Sequence, residues 1–329
     1  MAKSAEARRF DRSDDCQQTD VLRHSQDRRF LRGRTKSTAL LLLLILFLFL
    51  QTSTAISVDP SGLQDYLIRN IPARPFFAMK GSEFAKMIFS MNGSMREQAI
   101  LAQLMEGNLP DFLRRLIPVR LSHRLKDGRR VTISIFVMPD YLAIGSDSDF
   151  LLMPMALQTA TQIAFQFGFI LPTKKMVDAI FRQSGIHLAP EPLPAGPEMT
   201  STAYYVKHDE RIKEQRETMG RSLSALVSGH KKDVVLSKRL AQAAGRIAIY
   251  GWHRLSGIPI QPLTTVHPAS YADYSHGIRL VSETVLVEGK PESIYSVLQD
   301  PELTNVLSDE GPIQVQRLLL SSHASHSYR

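Results

Sequence analysis

Cysteine is almost missing from this chain: its 329 residues contain one, Cys16, which falls in the first 36 residues. A product processed beyond that point has no thiol, which excludes disulfides, thiolate metal ligands and a cysteine nucleophile. A strong charge of one sign is also missing once the first segment is set aside. Residues 1–36 hold 10 Lys/Arg against 6 Asp/Glu, and the remaining residues hold 30 against 26. A body this close to neutral lacks the basic footprint that nucleic acid needs, so no nucleic-acid partner is expected. Internal repeats are not apparent, and no apolar run is long enough to make a comfortable membrane span.

What is present is a segment suited to export. Residues 39–50 read ALLLLLILFLFL, preceded by Arg32, Arg34 and Lys36 and followed by QTSTAIS. Twelve helical residues span about 18 Å, well short of a hydrocarbon core of about 30 Å. Ser53 and Ala55 supply the small residues of a cleavage site after Ala55. The expected product is therefore exported, to the periplasm or beyond the cell. An uncleaved segment would instead anchor it to the inner membrane, with membrane contact only through 39–50. The preceding polar leader, 1–36, reads either as disorder or as the product of a start codon placed too early. Arg28-Arg29 before Phe30-Leu31 resembles a twin-arginine signal, but the run is too hydrophobic to favour that route.

The rest predicts an α+β fold in two lobes. The first, 56–189, begins with a proline-broken lead-in and one short helix. Helices follow over 82–91 and 95–106, the latter stopping at Gly107, with a third short helix after Pro110. Residues 119–125 and 130–137 flank Asp127-Gly128 as a hairpin, 141–144 adds a strand, and helices cover 156–167 and 174–184. Four prolines between Pro190 and Pro197 make 190–201 an extended linker. The second lobe, 202–312, holds a charged helix at 209–219 and short strands at 233–236, 246–250, 277–281 and 284–287, forming a small sheet. Residues 313–329 read as a frayed tail.

Five of the ten histidines, His208, His230, His253, His267 and His276, fall within 69 residues of that second lobe. Most sit beside glycine or aspartate at strand ends, where side chains are exposed and rigidly placed. Three clusters follow. In Gly229-His230-Lys231-Lys232-Asp233, the carboxylate either orients the imidazole or joins it on a divalent metal, while a plain turn capped by both is the bland reading. In Tyr250-Gly251-Trp252-His253, the indole either stacks on a flat ligand or is simply core. In Tyr271-Ala272-Asp273-Tyr274-Ser275-His276-Gly277-Ile278-Arg279, Gly277 permits close backbone approach and Arg279 suits a bidentate grip on a carboxylate.

The run Ser275-His276-Gly277-Ile278-Arg279-Leu280 resembles the Ser-His-Gly-Cys-Ile/Val-Arg signature of the L,D-transpeptidases with its cysteine nucleophile deleted. Gly251-Trp252-His253 loosely echoes that family's upstream His-Gly pair. The resemblance implies only a substrate cradle at His276, Gly277 and Arg279. Ser228, His230, Asp233 and Trp252-His253 also resemble, in order, the zinc D-Ala-D-Ala carboxypeptidases, although His and Asp stand too close and the acidic base is replaced by Tyr250-Gly251. The runs GHKKDVV, YGWH and YADYSHG further resemble an uncharacterised exported bacterial family.

The expected function is a cell-envelope-associated hydrolase acting on a peptidoglycan peptide or related polymer. His230, Asp233, His253, Asp273 and His276 would supply catalysis, and Trp252, Tyr274, Ser275, Gly277 and Arg279 would bind substrate. Either zinc on His230, Asp233 and His253 activates water, or an imidazole oriented by Asp233 or Asp273 acts as base without metal. The rival expectation is a non-catalytic envelope protein that binds a carbohydrate, peptide or other small ligand through the same loops.

Overall fold

A computed structural model describes residues 60–219 and 222–315. The leader and export segment expected at 1–55 lie outside the described residues, as does the tail from 316 onward. Among the described residues no helix is long and apolar enough to cross a membrane.

The chain mixes helices and sheets, an α+β architecture. It opens with α1 (Pro60–Ile68), α2 (Gly81–Ile88) and α3 (Gly93–Met105). The Asn92 side chain accepts from the Met95 amide at 3.0 Å and starts α3. Gly107 at φ +80° ends it, because the left-handed conformation is cheap only for glycine. The expected hairpin is present as β1 (Ile117–Arg124) and β2 (Arg130–Val137), paired in register from Ile117↔Val137 to Arg124↔Arg130. Val119 and Leu121 of β1 face inward with Val131, Ile133 and Ile135 of β2, as the alternation requires.

Next come β3 (Ala143–Ser146), β4 (Asp149–Leu152), α4 (Leu157–Phe167), β5 (Phe169–Ile170), α5 (Lys174–Gln183) and β6 (Ile186–His187). After the proline-rich stretch, α6 (Thr202–Met219) begins seven residues before the expected 209, and β7 (Val227–Ser228), β8 (Lys232–Val234), β9 (Ile249–His253) and β10 (Pro259–Thr264) follow. The strand expected at 277–281 is two short pieces, β11 (His276–Gly277) and β12 (Val281–Ser282). The last elements are β13 (Thr284–Val287), β14 (Lys290–Ser293), α7 (Ile294–Gln299) and α8 (Thr304–Leu307).

The larger sheet runs β14-β13-β2-β12-β5 with β1 on the far edge of β2, and the smaller runs β10-β9-β8-β11. Strands from both sides of 190–201 therefore share the larger sheet. β6 and β7 pair in parallel directly across that stretch, Ile186↔Val227 and His187↔Ser228. A division into lobes there would cut a continuous sheet and a continuous apolar core, so 190–201 is a strap rather than a linker between lobes. The reason is that β2, with eight residues, is long enough to take β13 at Ser134↔Leu286 and β12 at Val137↔Val281 along one edge. The first residues of the expected frayed tail are also docked. Ile313 and Val315 are buried, and the Ile313 amide donates to Leu298 O at 2.7 Å.

The link between the sheets positions the site. Between β11 and β12, Leu280 O accepts from the Met138 amide and Ile278 O from the Leu142 amide. This holds Arg279 against the end of β2.

Candidate functional site

Three segments singled out in the sequence meet in the smaller sheet. β8 lies between β9 and β11, with Asp233 opposite Tyr250 and also paired with Gly277, and Lys232 paired with His276. The segments fold this way because glycine stands at the close approaches. A Cβ on Gly229 (φ +99°) would lie 2.4 Å from Leu188 O, and one on Gly277 would lie 2.6 Å from the Tyr141 ring. Trp252 itself has φ +55°, a conformation that costs a bulky residue on the order of 1 kcal/mol or more. Its indole is buried at 5% exposure and its Nε1 has no hydrogen-bond partner among the described residues. Of the two readings of Trp252, the packed one holds.

The expectation of exposed loop ends is corrected in the same way. His230, Asp233, His253, Asp273, Ser275, His276 and Arg279 are each 3% exposed or less. All but His276 are tolerated in the interior because a polar partner meets them there, as buried polar groups require.

His230 Nε2 donates to Asp140 Oδ1 at 3.0 Å, and Arg216 Nη1 reaches Asp140 Oδ2 at 2.6 Å. Burial alone would raise the Asp140 carboxyl, but Arg216 and His230 outweigh it and hold it well below the ordinary carboxylate range. Burial lowers His230 against the pull of Asp140. The neighbouring Tyr141 hydroxyl donates to Asp233 Oδ2 at 3.0 Å, and Arg279 lies 4.3 Å over the Tyr141 ring. Arg279 donates from Nη1 to Met138 O and from Nη2 to Val227 O, so the expected carboxylate grip is turned inward on backbone, and its Nε has no partner among the described residues. Asp233 is pushed up to about 6 by burial, which the charge of Arg279 offsets only in part.

Lys231 is fully enclosed. Its Nζ donates to Tyr274 O at 2.6 Å and to His208 Nδ1 at 3.1 Å, and burial pushes it down to about 8. The His208 ring packs edge-on to Tyr274 and Trp252. Tyr274, expected to stack on ligand, instead accepts from the Leu193 amide at 2.7 Å and so fastens the strap.

His253 Nε2 and the Tyr250 hydroxyl both donate to Asp178 Oδ1, at 3.1 and 2.7 Å, while Lys174 pairs with Oδ2 at 2.8 Å. Burial would raise Asp178, but the hydrogen bonds from His253, Lys174 and Tyr250 bring it down to about 2. His253 also stacks on Phe181.

His276 stands apart from these. Asp273 Oδ2 is 3.9 Å from its Nε2, neither ring nitrogen has a hydrogen-bond partner among the described residues, and burial pushes it down to about 4. Tyr271 donates to Asp273 Oδ2 at 3.2 Å and stacks on His267.

The structure thus places Asp233 and His253 on adjacent strands and His230 in the bend before β8, but gives each a different carboxylate or phenol. Among the described residues no three His, Cys, Asp or Glu side chains are disposed to hold a metal, so the expected zinc trio is not assembled. The residues that complete these networks, Asp140, Tyr141, Asp178, His208, Arg216 and Lys231, were not singled out in the sequence as site residues. Asp140 had a faint signal, as the polar residue after the apolar run of β2 and Pro139.

An open cavity lies next door. A cavity of about 420 Å³ is bounded by the end of α2, the first turn of α3, the start of α6 and the turn 270–272. Its wall includes Arg96, Glu97, Ser201, Thr202, Ser270 and Tyr271, and Phe89 stands exposed at its edge. Tyr271 is the residue of that wall that joins the cavity to the Asp273–His276 pair. Neither a protein-family model, nor a curated protein, nor a solved structure matches the chain.

Proposed function

We propose that the protein is an exported, cell-envelope-associated binding protein that takes a peptide or carbohydrate fragment into the cavity between α3, α6 and the turn 270–272. The observation that carries this reading is the separation of solvent from the histidines. The imidazoles and carboxylates in and beside the smaller sheet are buried and for the most part paired with Asp140, Tyr141 and Asp178, whereas the neighbouring cavity is walled by hydroxyls, Arg96 and Glu97 beside the exposed ring of Phe89. That mixture suits recognition, since hydroxyls orient a polar ligand and Phe89 offers a flat face to a sugar or side chain. Export rests on the apolar run 39–50 and the small residues after it.

Hydrolysis in the same cavity is favoured by one contact, the Tyr271 hydroxyl on Asp273. Tyr271 is pushed up to about 12 by burial and by Asp273, so it stays protonated and would orient a substrate by hydrogen bonding rather than act as a base.

Calorimetric titration of the full chain with peptidoglycan fragments and with oligosaccharides tests both readings. Binding that weakens about tenfold in Tyr271→Ala, with no product on chromatography, is expected from the loss of one aromatic contact and one hydroxyl. Product formation that disappears in Tyr271→Phe would replace the binding reading with the hydrolytic one. Absence of binding by every fragment would end both.

A further inference from the structure

Arg96 is a buried cation held without an ion pair. It is 6% exposed, and among the described residues no carboxylate lies within ion-pair distance of it. Its guanidinium reaches only neutral hydroxyls, Tyr205 at 3.1 Å and Thr202 at 3.5 Å, with its carbon 4.6 Å from the Tyr205 ring centre. Its Nε has no partner among the described residues. Burial of an unpaired charge is strongly unfavourable, and the usual resolution is an anion. Arg96 forms part of the cavity wall.

Two helices begin at the same cavity. Gly93, the first residue of the 13-residue α3, and Thr202, the first of the 18-residue α6, both line it. The Asn92 cap takes the Met95 amide, and Ser201 takes the amides of Tyr204 and Tyr205. The Gly93 and Thr202 amides have no acceptor among the described residues. Gly93, Thr202 and Arg96 all line the same cavity, so the first amides of two helices and a guanidinium without a carboxylate partner border one space and make a candidate donor set for an oxyanion. Glu97, the acidic group on the wall, is turned aside: its carboxylate accepts from the Ala156 amide at 3.0 Å, and burial raises it by more than the charge of Arg96 lowers it.

We propose that this cavity binds the oxyanion group of its ligand, a carboxylate or a phosphate, between the Arg96 guanidinium and the first amides of α3 and α6. The assignment rests on the cavity being the recognition site and adds the chemistry of what it recognises. Arg96 offers a fork of donors, matched to the two or more oxygens of such a group.

The test uses the full chain in mild detergent and three probes: inorganic phosphate, N-acetylglycine, and N-acetylglycinamide as the uncharged control. Calorimetry should show binding of at least one of the two anions and none of the amide. Phosphate alone would identify a phosphate ligand, and N-acetylglycine alone a carboxylate ligand. Arg96→Lys should weaken binding about tenfold or more by removing the fork. Gly93→Pro removes one amide donor at the helix position where proline is best tolerated, and should weaken binding about fivefold to tenfold with the fold intact. Equal binding of the amide, no anion binding at millimolar probe, or unchanged affinity in Gly93→Pro would each overturn the proposal. If envelope fragments bind regardless of their charge, the recognition site stands and the anion assignment falls.

Discussion

Replacement of Asp233 by asparagine should stabilise the protein at neutral pH. In the folded chain its carboxyl stands at about 6 against an ordinary value of 3.8, raised chiefly by burial. A rise of that size corresponds to roughly 3 kcal/mol, at about 1.36 kcal/mol for each tenfold change in proton affinity. A raised folded value favours the protonated fold, so by linkage the stability is full below 3.8 and is lost as pH climbs through 6. At pH 7 the parent carries the whole penalty, and the Asp233→Asn variant carries none of it. Against this, the amide oxygen keeps the Tyr141 hydroxyl while the NH2 takes the place of the other carboxylate oxygen, where no acceptor stands among the described residues, which costs about 1–2 kcal/mol. The net expectation is a gain of about 1–2 kcal/mol at pH 7 that vanishes or reverses below about pH 4. Urea unfolding of parent and Asp233→Asn, followed by circular dichroism at pH 7, 5.5 and 4, measures it. A variant destabilised by the same amount at all three values would refute the claim that Asp233 is held ionised against its surroundings. Carboxylates held in this way are concentrated at functional sites, so a stabilised variant that loses ligand binding would mark Asp233 as functional rather than structural.

Acid should unfold the protein well above the carboxylate range. Burial lowers His208, His230 and His276, so the stability they confer is full above about pH 6.5 and declines as pH falls toward the folded values; thermal midpoints between pH 7 and 4 would show it. Asp233 opposes this trend in the same window, so Asp233→Asn should steepen it. Asp140→Asn should destabilise by about 3–5 kcal/mol in chemical denaturation, because Arg216 and His230 lose the charge that sustains them in the interior.

Local elements were legible in the sequence wherever the pattern was local. Alternation around Asp127-Gly128 read out the hairpin, and Gly107 and Gly168 marked helix ends. Two-residue strands such as β6, β7 and β11 carry no period of their own and exist only because a distant segment pairs with them. That is also why 190–201 read as a boundary: proline density reports an extended backbone, but not that Leu193 is hydrogen-bonded to Tyr274. The site was half legible. The histidines and aspartates of the second half do gather in and beside the smaller sheet, yet Asp140 and Asp178 arrive from 90 and 75 residues away and convert expected catalytic ends into interior pairs. Arg96 gave no signal, because a single arginine in a helix looks the same in sequence whether it is solvated or enclosed.

Proteins assembled from two bodies catch their ligands by swinging shut. Here the rungs of one ladder come from both sides of the strap, and the strap is tied down at its middle, so among the described residues there is no joint at that place for such a swing to turn on. A ligand of this protein would meet a mould already cast, and selectivity would come from fit to that mould rather than from movement after arrival.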